Sequence, residues 1–451
     1  MPEAEMHLKV SLPSDNLDVN QIVVLVQEAV EQIGPLLMSW YLEASQDRVL
    51  DEVLGGKWGH ANQAEARWAC PECHSQKGFK RRGSRSRVLR KSSLGRVSFK
   101  LRQVTCSHCG KTFSPFLSGF GMGRYQVSTT EFQAKAVRVA CQTSYARCAS
   151  HLSELAHVQV SATAVHAWAQ AKGEQVVLDI ERADGQPVLL DSTKVRATDK
   201  KTGCSLNLGV SVRGRCWRNG RPQLKVYPVC LGVNEPWAET ARPLARVKPA
   251  RILFDRHDAF VDWLNDTFPD VPKQRCRWHL VTQLYRALWR DGLRKAQADV
   301  WMGKLGKVVY HPDCPVQYSR RDLRALIAAL RQQDLTHGAY YLAAAEPYAF
   351  TYREHPDGMF FDERTAEPHA ISSTSPIERQ IREINRRTDI GARWSVPGVR
   401  NLVRLDLARR FDPGQWNTLW GLPQKAPSDF VTGKLMIMRV GMQPTSNVKT
   451  T

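Results

Sequence analysis

The sequence predicts an α/β domain split by a large all-α insertion and preceded by a zinc ribbon and a helix-turn-helix. Three observations carry this fold class. Short aliphatic runs typical of strands begin at Pro187 and recur to Phe254. Asp255 and Glu378, which flank the longest helical stretch, are separated by 122 residues, too many for a direct strand-to-helix connection. Upstream, Cys70-Pro71-Glu72-Cys73 and Cys106-Ser107-His108-Cys109 form two Cys-x-x-Cys pairs, with 32 residues between the inner cysteines.

A length of 451 residues allows two to four domains. Lys plus Arg number 64 against 44 Asp plus Glu, a formal charge of +20 that favours a polyanionic partner through counterion release. No apolar stretch approaches the roughly 20 residues that span a bilayer, so no membrane partner is expected. The N-terminus lacks the basic-then-apolar pattern of a secretory signal. The eleven cysteines show no disulfide framework, which fits a reducing cytosol.

The elements are expected in this order. Residues 1–60 form a helical segment, read as two helices over 17–55: Ile22, Val23, Val26, Ala29, Val30 and Ile33 share one face before Gly34-Pro35 breaks the pattern. Residues 66–116 form the cysteine module, whose four thiolates suit one structural Zn²⁺ (Cys70, Cys73, Cys106, Cys109). Gly110-Lys111 suits a knuckle turn there.

Between the pairs lie eleven Lys or Arg and no acid, interleaved with apolar residues as in a β-ribbon with one packed and one basic face. Lys80, Arg81, Arg82, Arg85, Arg87, Arg90 and Lys91 are the candidate phosphate contacts, against the alternative of a solvated loop. Residues 126–175 read as three short helices, a helix-turn-helix: a capping box Ser128-Thr129-Thr130-Glu131 opens the first, the second starts near Ser144, and Ser161 caps the third.

Strands are expected at Val188–Leu190, Leu206–Val212, Lys225–Leu231 and Ile252–Phe254, with a helix around 235–246. The α/β domain is expected over 185–280 and 366–412, with the all-helical insertion at 281–365 and an irregular tail over 413–451. Asp191 and Asp255 each end an aliphatic run, and Glu378 opens a helix. Carboxylates so placed can share two Mg²⁺ or Mn²⁺ ions about 4 Å apart. Singly, each is weak evidence, since an Asp at a strand end is more often a turn or helix cap, and Asp184, Asp199, Asp258 and Glu383 are nearby alternatives.

Four segments resemble the Mutator-type transposase superfamily, including its bacterial insertion-sequence branch. They are Leu190-Asp191-Ser192-Thr193, Asp255 after its aliphatic strand, Cys276-Arg277-Trp278-His279 as a Cys-x-x-His signature, and Ser375-Pro376-Ile377-Glu378-Arg379. The match covers residues 185–410. Ser192 and Arg256 depart from it, since many relatives carry Gly after one of the aspartates. The resemblance implies an RNase H-like catalytic domain with a helical insertion, and a DDE transposase that cleaves and transfers DNA strands in the bacterial cytoplasm at the nucleoid.

Its partners would be double-stranded DNA, at element ends and target, and a second copy in a homodimer or higher oligomer. Arg379, Arg382, Arg386 and Arg387 would line the path of the scissile strand; the alternative is pairing of Glu378 with Arg382 and Glu383 with Arg387. Cys276 and His279 are open to three readings: a second zinc site, a packing or positioning pair near the active site, or contact with flanking DNA. Positioning ranks first, for lack of a further Cys/His pair at suitable spacing.

Overall fold

The computed structural model describes residues 19–54, 68–120, 122–198, 202–255, 259–311, 313–355, 359–362 and 364–422. Asp199, Arg256, Asp258, the first 18 residues and the tail from 423 lie outside them. Ile22 and Val30 lie in the first helix, with side chains outside the described set.

Helix α1 (Val19–Leu54) is one 36-residue helix, not two. Pro35 lies inside it, although proline removes an intrahelical hydrogen bond. Tertiary packing overrides the local break, because the C-terminal half of α1 is tied to the following sheet. That sheet pairs β1 (Phe79–Leu89), β2 (Val97–Cys106) and β3 (Thr112–Phe113), all antiparallel, with β2 central. Where β3 does not reach, α1 side chains satisfy the β2 edge. Lys100 N–H donates to Glu43 (2.8 Å), Arg102 N–H to Gln46 Oε1 (2.8 Å), and Gln46 Nε2 donates back to Lys100 O (3.2 Å). A covered edge cannot recruit another strand. The upstream half of α1 leaves Val23 and Val26 of the expected face exposed.

After the four-residue helix α2 (Phe116–Gly119) come α3 (Thr130–Ala140), α4 (Tyr145–Ala156) and α5 (Ala162–Gly173). Ser144 and Ser161 cap α4 and α5 as expected. In α3 the cap is Thr129, one residue later than the sequence reading, and Glu131 turns to Ser93 and Lys135 instead of closing a capping box. Phe132, Ala136, Cys148, Leu152 and Val165 form the core of this three-helix unit.

A five-stranded sheet follows: β4 (Pro187–Val195), β5 (Cys204–Arg218), β6 (Arg221–Val233), then after the short α6 (Trp237–Thr240) β7 (Arg251–Phe254), and after α7 (Ala259–Thr267) β8 (Lys273–Arg275). Its order is β6-β5-β4-β7-β8. The first three strands are antiparallel, while β7 and β8 run parallel to β4. The helix expected at 235–246 is α6 followed by a 3₁₀ turn, Arg242–Arg246. Asn219 and Gly220, both at positive φ, close the β5–β6 hairpin by the two-residue turn that suits strand twist. The sheet is buried on both faces: Val188, Leu190, Ile252 and Phe254 pack in one cluster, Leu189, Leu206, Leu208 and Leu253 in the other.

The insertion begins at Arg277, where α8 (Arg277–Arg290) leaves β8 directly, and continues with α9 (Lys295–Val309), α10 (Val316–Gln332), α11 (Thr336–Ala345) and α12 (Thr351–Glu354). It has its own core, from Leu280 to Phe350. It is not wholly helical: β9 (Met359–Phe361) and β10 (Pro368–Ala370) form a hairpin at its end, anchored where buried Asp362 accepts from Trp217 Nε1 (3.1 Å) and pairs with Arg215 (3.3 Å). Helices α13 (Ser375–Thr388), α14 (Val396–Phe411) and α15 (Pro413–Trp420) complete the fold. The chain from 413 to 420 is therefore helix rather than irregular tail, held by Trp416 and Trp420 at 1 % exposure each. No helix among the described residues is long and apolar enough to cross a membrane.

Helix α5 crosses α14 at Gly173, where a Cβ would stand 2.4 Å from the backbone oxygen of Asn401. Gly173→Ala is expected to force the helices apart and to lower unfolding stability by about 1–3 kcal/mol, read by urea denaturation. An unchanged midpoint would show that the crossing yields freely.

Candidate active site and metal centre

Strands β4 and β7 pair in parallel with Leu190 opposite Phe254, so Asp191 and Asp255 follow side by side. Asp255 lies just past the end of β7, but β4 runs on to Val195, so Asp191 is not beyond its strand, as its place after the aliphatic run suggests, but within it, opposite Leu208 of β5. Side chains two apart in a strand share a face. Leu189 and Leu253 pack with Ile377, Ile381 and Ile384 of α13, so the aspartates follow on the side that α13 covers. Glu378 lies one residue beyond Ile377, in the first turn of α13, where Pro376 favours helix initiation. Asn385 Nδ2 donates to Thr193 Oγ1 (3.1 Å), fastening α13 to β4 just past Asp191.

Asp191 is only 6 % exposed. Burial, then the charge of Asp255, hold its carboxyl up at about 7, against the pull of the Ser192 N–H (2.7 Å) and of His279; the Glu378 charge adds to the rise. Carboxylates kept this close in a dry setting repel one another, and a divalent cation relieves that repulsion. All-oxygen donors suit a hard ion such as Mg²⁺ or Mn²⁺.

Cys276 and His279 sit where β8 passes into α8. Cys276 N–H extends the ladder to Phe254 O (2.9 Å), and Arg277 N–H reaches Ser372 O (3.0 Å), which brings the chain before α13 alongside. Thr374, fully buried, meets three partners through one hydroxyl: Cys276 Sγ at 3.2 Å, His279 Nδ1 at 3.1 Å and Glu378 Oε1 at 3.1 Å. His279 Nε2 also lies 3.7 Å from Glu378 Oε1. Burial alone would raise the Cys276 thiol, but hydrogen bonds from His279 and Thr374 bring it below its usual value; burial likewise opposes the charge on His279, and Cys276 outweighs it.

Ligating atoms of Cys276, His279 and Glu378 all lie within 4.8 Å of one another, whereas the three carboxylates of Asp191, Asp255 and Glu378 are not drawn together to that distance. Thr374 was not singled out in the sequence, where it reads only as a helix cap. In the structure its side chain makes no capping bond.

The second cluster is the cysteine module. Cys70, Cys73, Cys106 and Cys109 bring all four sulfurs within 4.8 Å, with Cys70–Cys109 at 3.5 Å and Cys73–Cys106 at 3.6 Å, a set that could hold one zinc ion. The two knuckles repeat one geometry. His74 and Gly110, each just after the second cysteine of its pair, both have positive φ, and the N–H of each returns to Cys70 O (3.0 Å) or Cys106 O (2.9 Å). Burial raises the Cys70 thiol, but the amides of Cys73 and Glu72 outweigh it and bring it to about 7.

The basic residues divide. Lys80, Arg82, Arg85 and Arg90 are exposed, and Lys91 is partly covered where it bridges to Ser128. Arg81 pairs with Asp51, and Arg87 holds the carbonyls of Gly123 (3.0 Å), Arg124 and Gln126 (2.7 Å), so these two serve the fold. On α13, Arg379 and Arg382 are exposed, and Arg386 pairs with Glu383 (2.7 Å). Arg387 departs from the expected surface role. It is buried between the rings of Tyr145 and Trp394, with Nε donating to Ala140 O (2.7 Å).

An unfolded aspartate ionises near 3.8 and folded Asp191 near 7, so the folded chain retains this proton between those values. The contribution of Asp191 to stability is therefore full below 3.8, falls as pH rises toward 7 and stays lost above it. Asp191→Asn is expected to melt higher than the parent at pH 8 without magnesium, by a few kcal/mol at most, and to match it near pH 4. Equal melting at both pH values would place Asp191 in solvent. Searched against protein-family models and curated proteins, the chain matches none of either.

Proposed function

We propose that the chain is a DDE transposase: a metal-dependent enzyme that cuts DNA at the ends of an element and joins the freed strand to a target. The observation that carries the reading is the parallel β4–β7 register, which sets Asp191 beside Asp255 under the helix that bears Glu378. The mixed sheet, with two parallel strands added to an antiparallel three, supports the RNase H-like reading of the catalytic domain. The four sulfurs favour one structural Zn²⁺ in a ribbon whose exposed Lys80, Arg82, Arg85 and Arg90 meet phosphates, and α3 to α5 serve as the helix-turn-helix.

Mg²⁺ or Mn²⁺ held by Asp191, Asp255 and Glu378 would polarise the phosphate and favour an oxygen nucleophile. The β4–β7 register fixes the two aspartates, and the isoleucine stripe of α13 fixes the third carboxylate relative to them. Arg379 and Arg382, exposed beside Glu378, draw the scissile strand along the helix. Water attacks the scissile phosphodiester first, leaving a 5′-phosphate and a 3′-hydroxyl; that hydroxyl then attacks a target phosphodiester and joins to it as the target's own 3′-oxygen leaves, so no covalent protein–DNA intermediate is called for. Two ends must be held together, which calls for at least a dimer in action.

The test is nicking of a duplex built from DNA flanking the coding region, with Mg²⁺ supplied. Asp191→Asn, Asp255→Asn and Glu378→Gln are each expected to slow it by about 100-fold or more, some 2.7 kcal/mol of barrier. Undiminished nicking in these variants would overturn the assignment. Tight DNA binding without nicking by the parent chain would identify a transposase-derived regulator, and a preference for structured RNA an RNA nuclease. Metal analysis of the purified chain should find about one zinc, lost in Cys73→Ser/Cys109→Ser; a chain that folds without it would remove the ribbon's metal.

A further inference from the structure

We infer that Thr374 is a positioning residue for Glu378, and that the Cys-x-x-His segment acts on the metal centre through it. This rests on the reading of Glu378 as a metal ligand. A hydroxyl has one proton to donate and two lone pairs. Thr374 Oγ1 stands 3.2 Å from Cys276 Sγ, 3.1 Å from His279 Nδ1 and 3.1 Å from Glu378 Oε1, so its one proton goes to either the sulfur or the carboxylate and its lone pairs face the imidazole. The backbone N–H of Thr374 adds a second link to Cys276 Sγ at 3.3 Å.

The hydroxyl is buried, and its partners come from two segments far apart in sequence, the start of α8 and the start of α13. Turning any member of this node away leaves a buried polar group with a partner fewer, which costs free energy in a low-dielectric setting. Glu378, one helical turn beyond Thr374, thereby has its carboxylate rotamer set before any ion arrives.

The same donors would also fit a soft metal ion, since Cys276, His279 and Glu378 offer sulfur, nitrogen and oxygen. Thr374 Oγ1 already stands within 3.2 Å of all three, where it links them, and positioning is the assignment the geometry favours.

The comparison is Thr374→Val, which keeps the shape and removes the hydroxyl, against Thr374→Ser, which keeps the hydroxyl and removes the methyl. Thr374→Val should slow nicking 10- to 100-fold and raise the Mg²⁺ concentration for half-maximal rate about tenfold. Thr374→Ser should stay within about threefold of the parent on both measures. A purely structural role would move the melting temperature and leave the Mg²⁺ dependence alone. Equal losses in Ser and Val, or an unshifted Mg²⁺ dependence in Val, would overturn the assignment.

So would a second zinc per chain that Cys276→Ser abolishes. If Thr374→Val cannot be purified folded, Thr374→Ala replaces it in the comparison with Ser. Should the parent chain fail to nick, the transposase reading falls, and Mn²⁺ binding followed by electron paramagnetic resonance decides the positioning role. Affinity weakened about tenfold in Val but not in Ser sustains it, and equal affinity refutes it.

Discussion

Two carboxylates side by side, Asp191 within β4 and Asp255 just past the end of the parallel neighbour β7, are the constraint around which this molecule is built. Hydrogen bonding between β4 and β7 puts Asp191 and Asp255 in neighbouring register, and aliphatic cores on both faces of the sheet prevent slippage that would separate them. The cost is electrostatic. Burial and the second carboxylate push Asp191 up to about 7, so at neutral pH the apo site is divided between protonated and ionised forms. A cation held there, as the proposed function has it, would relieve that cost.

The carboxylate from α13 is held differently. The aspartates are fixed by backbone register, whereas Glu378 reaches the site on a longer side chain from a helix whose placement depends on three isoleucines and on Asn385 bonded to Thr193. That leaves its rotamer to be set by neighbours, and the neighbours present are Thr374 and His279. The 122-residue interval between Asp255 and Glu378 thus does more than carry an insertion. It ends by laying the segment before α13 along the start of α8, through the Arg277 N–H bond to Ser372 O.

Much of this was legible in the sequence, and the failures have identifiable causes. Asp191 and Asp255 stood out because a charge ending an aliphatic run is conspicuous, and the twin cysteine pairs because their spacing fits a tetrahedral ion. Strand adjacency could not be read, since nothing local to residues 188–190 or 252–254 states that they pair. Pro35 was taken as a break because propensity is local, while the hydrogen bonds that Glu43 and Gln46 accept from the β2 edge are not. Thr374 carries the same signal as any residue before a helix. Arg387 looked like its exposed neighbours because residue type does not reveal burial, and the aromatic rings that enclose it come from Tyr145 and Trp394.

Helical geometry explains why Arg387 and Glu378 play unlike parts on one element. At about 100° per residue, nine positions turn the helix through roughly 900°, which is half a turn beyond two full ones. Glu378 therefore faces the side of Asp191, whose carboxyl feels its charge, and Arg387 faces the opposite way, where its guanidinium caps the C-terminal end of α3 at Ala140 O. A cation at a helix C-terminus is favoured by the exposed carbonyls there. Helix α13 is thus a rigid beam shared by the acidic site and the three-helix unit. Together with the close crossing of α5 and α14 at Gly173, it fixes the distance between them. On the transposase reading proposed above, DNA held by that unit would meet the carboxylates in a register set by the fold itself rather than by a flexible linker.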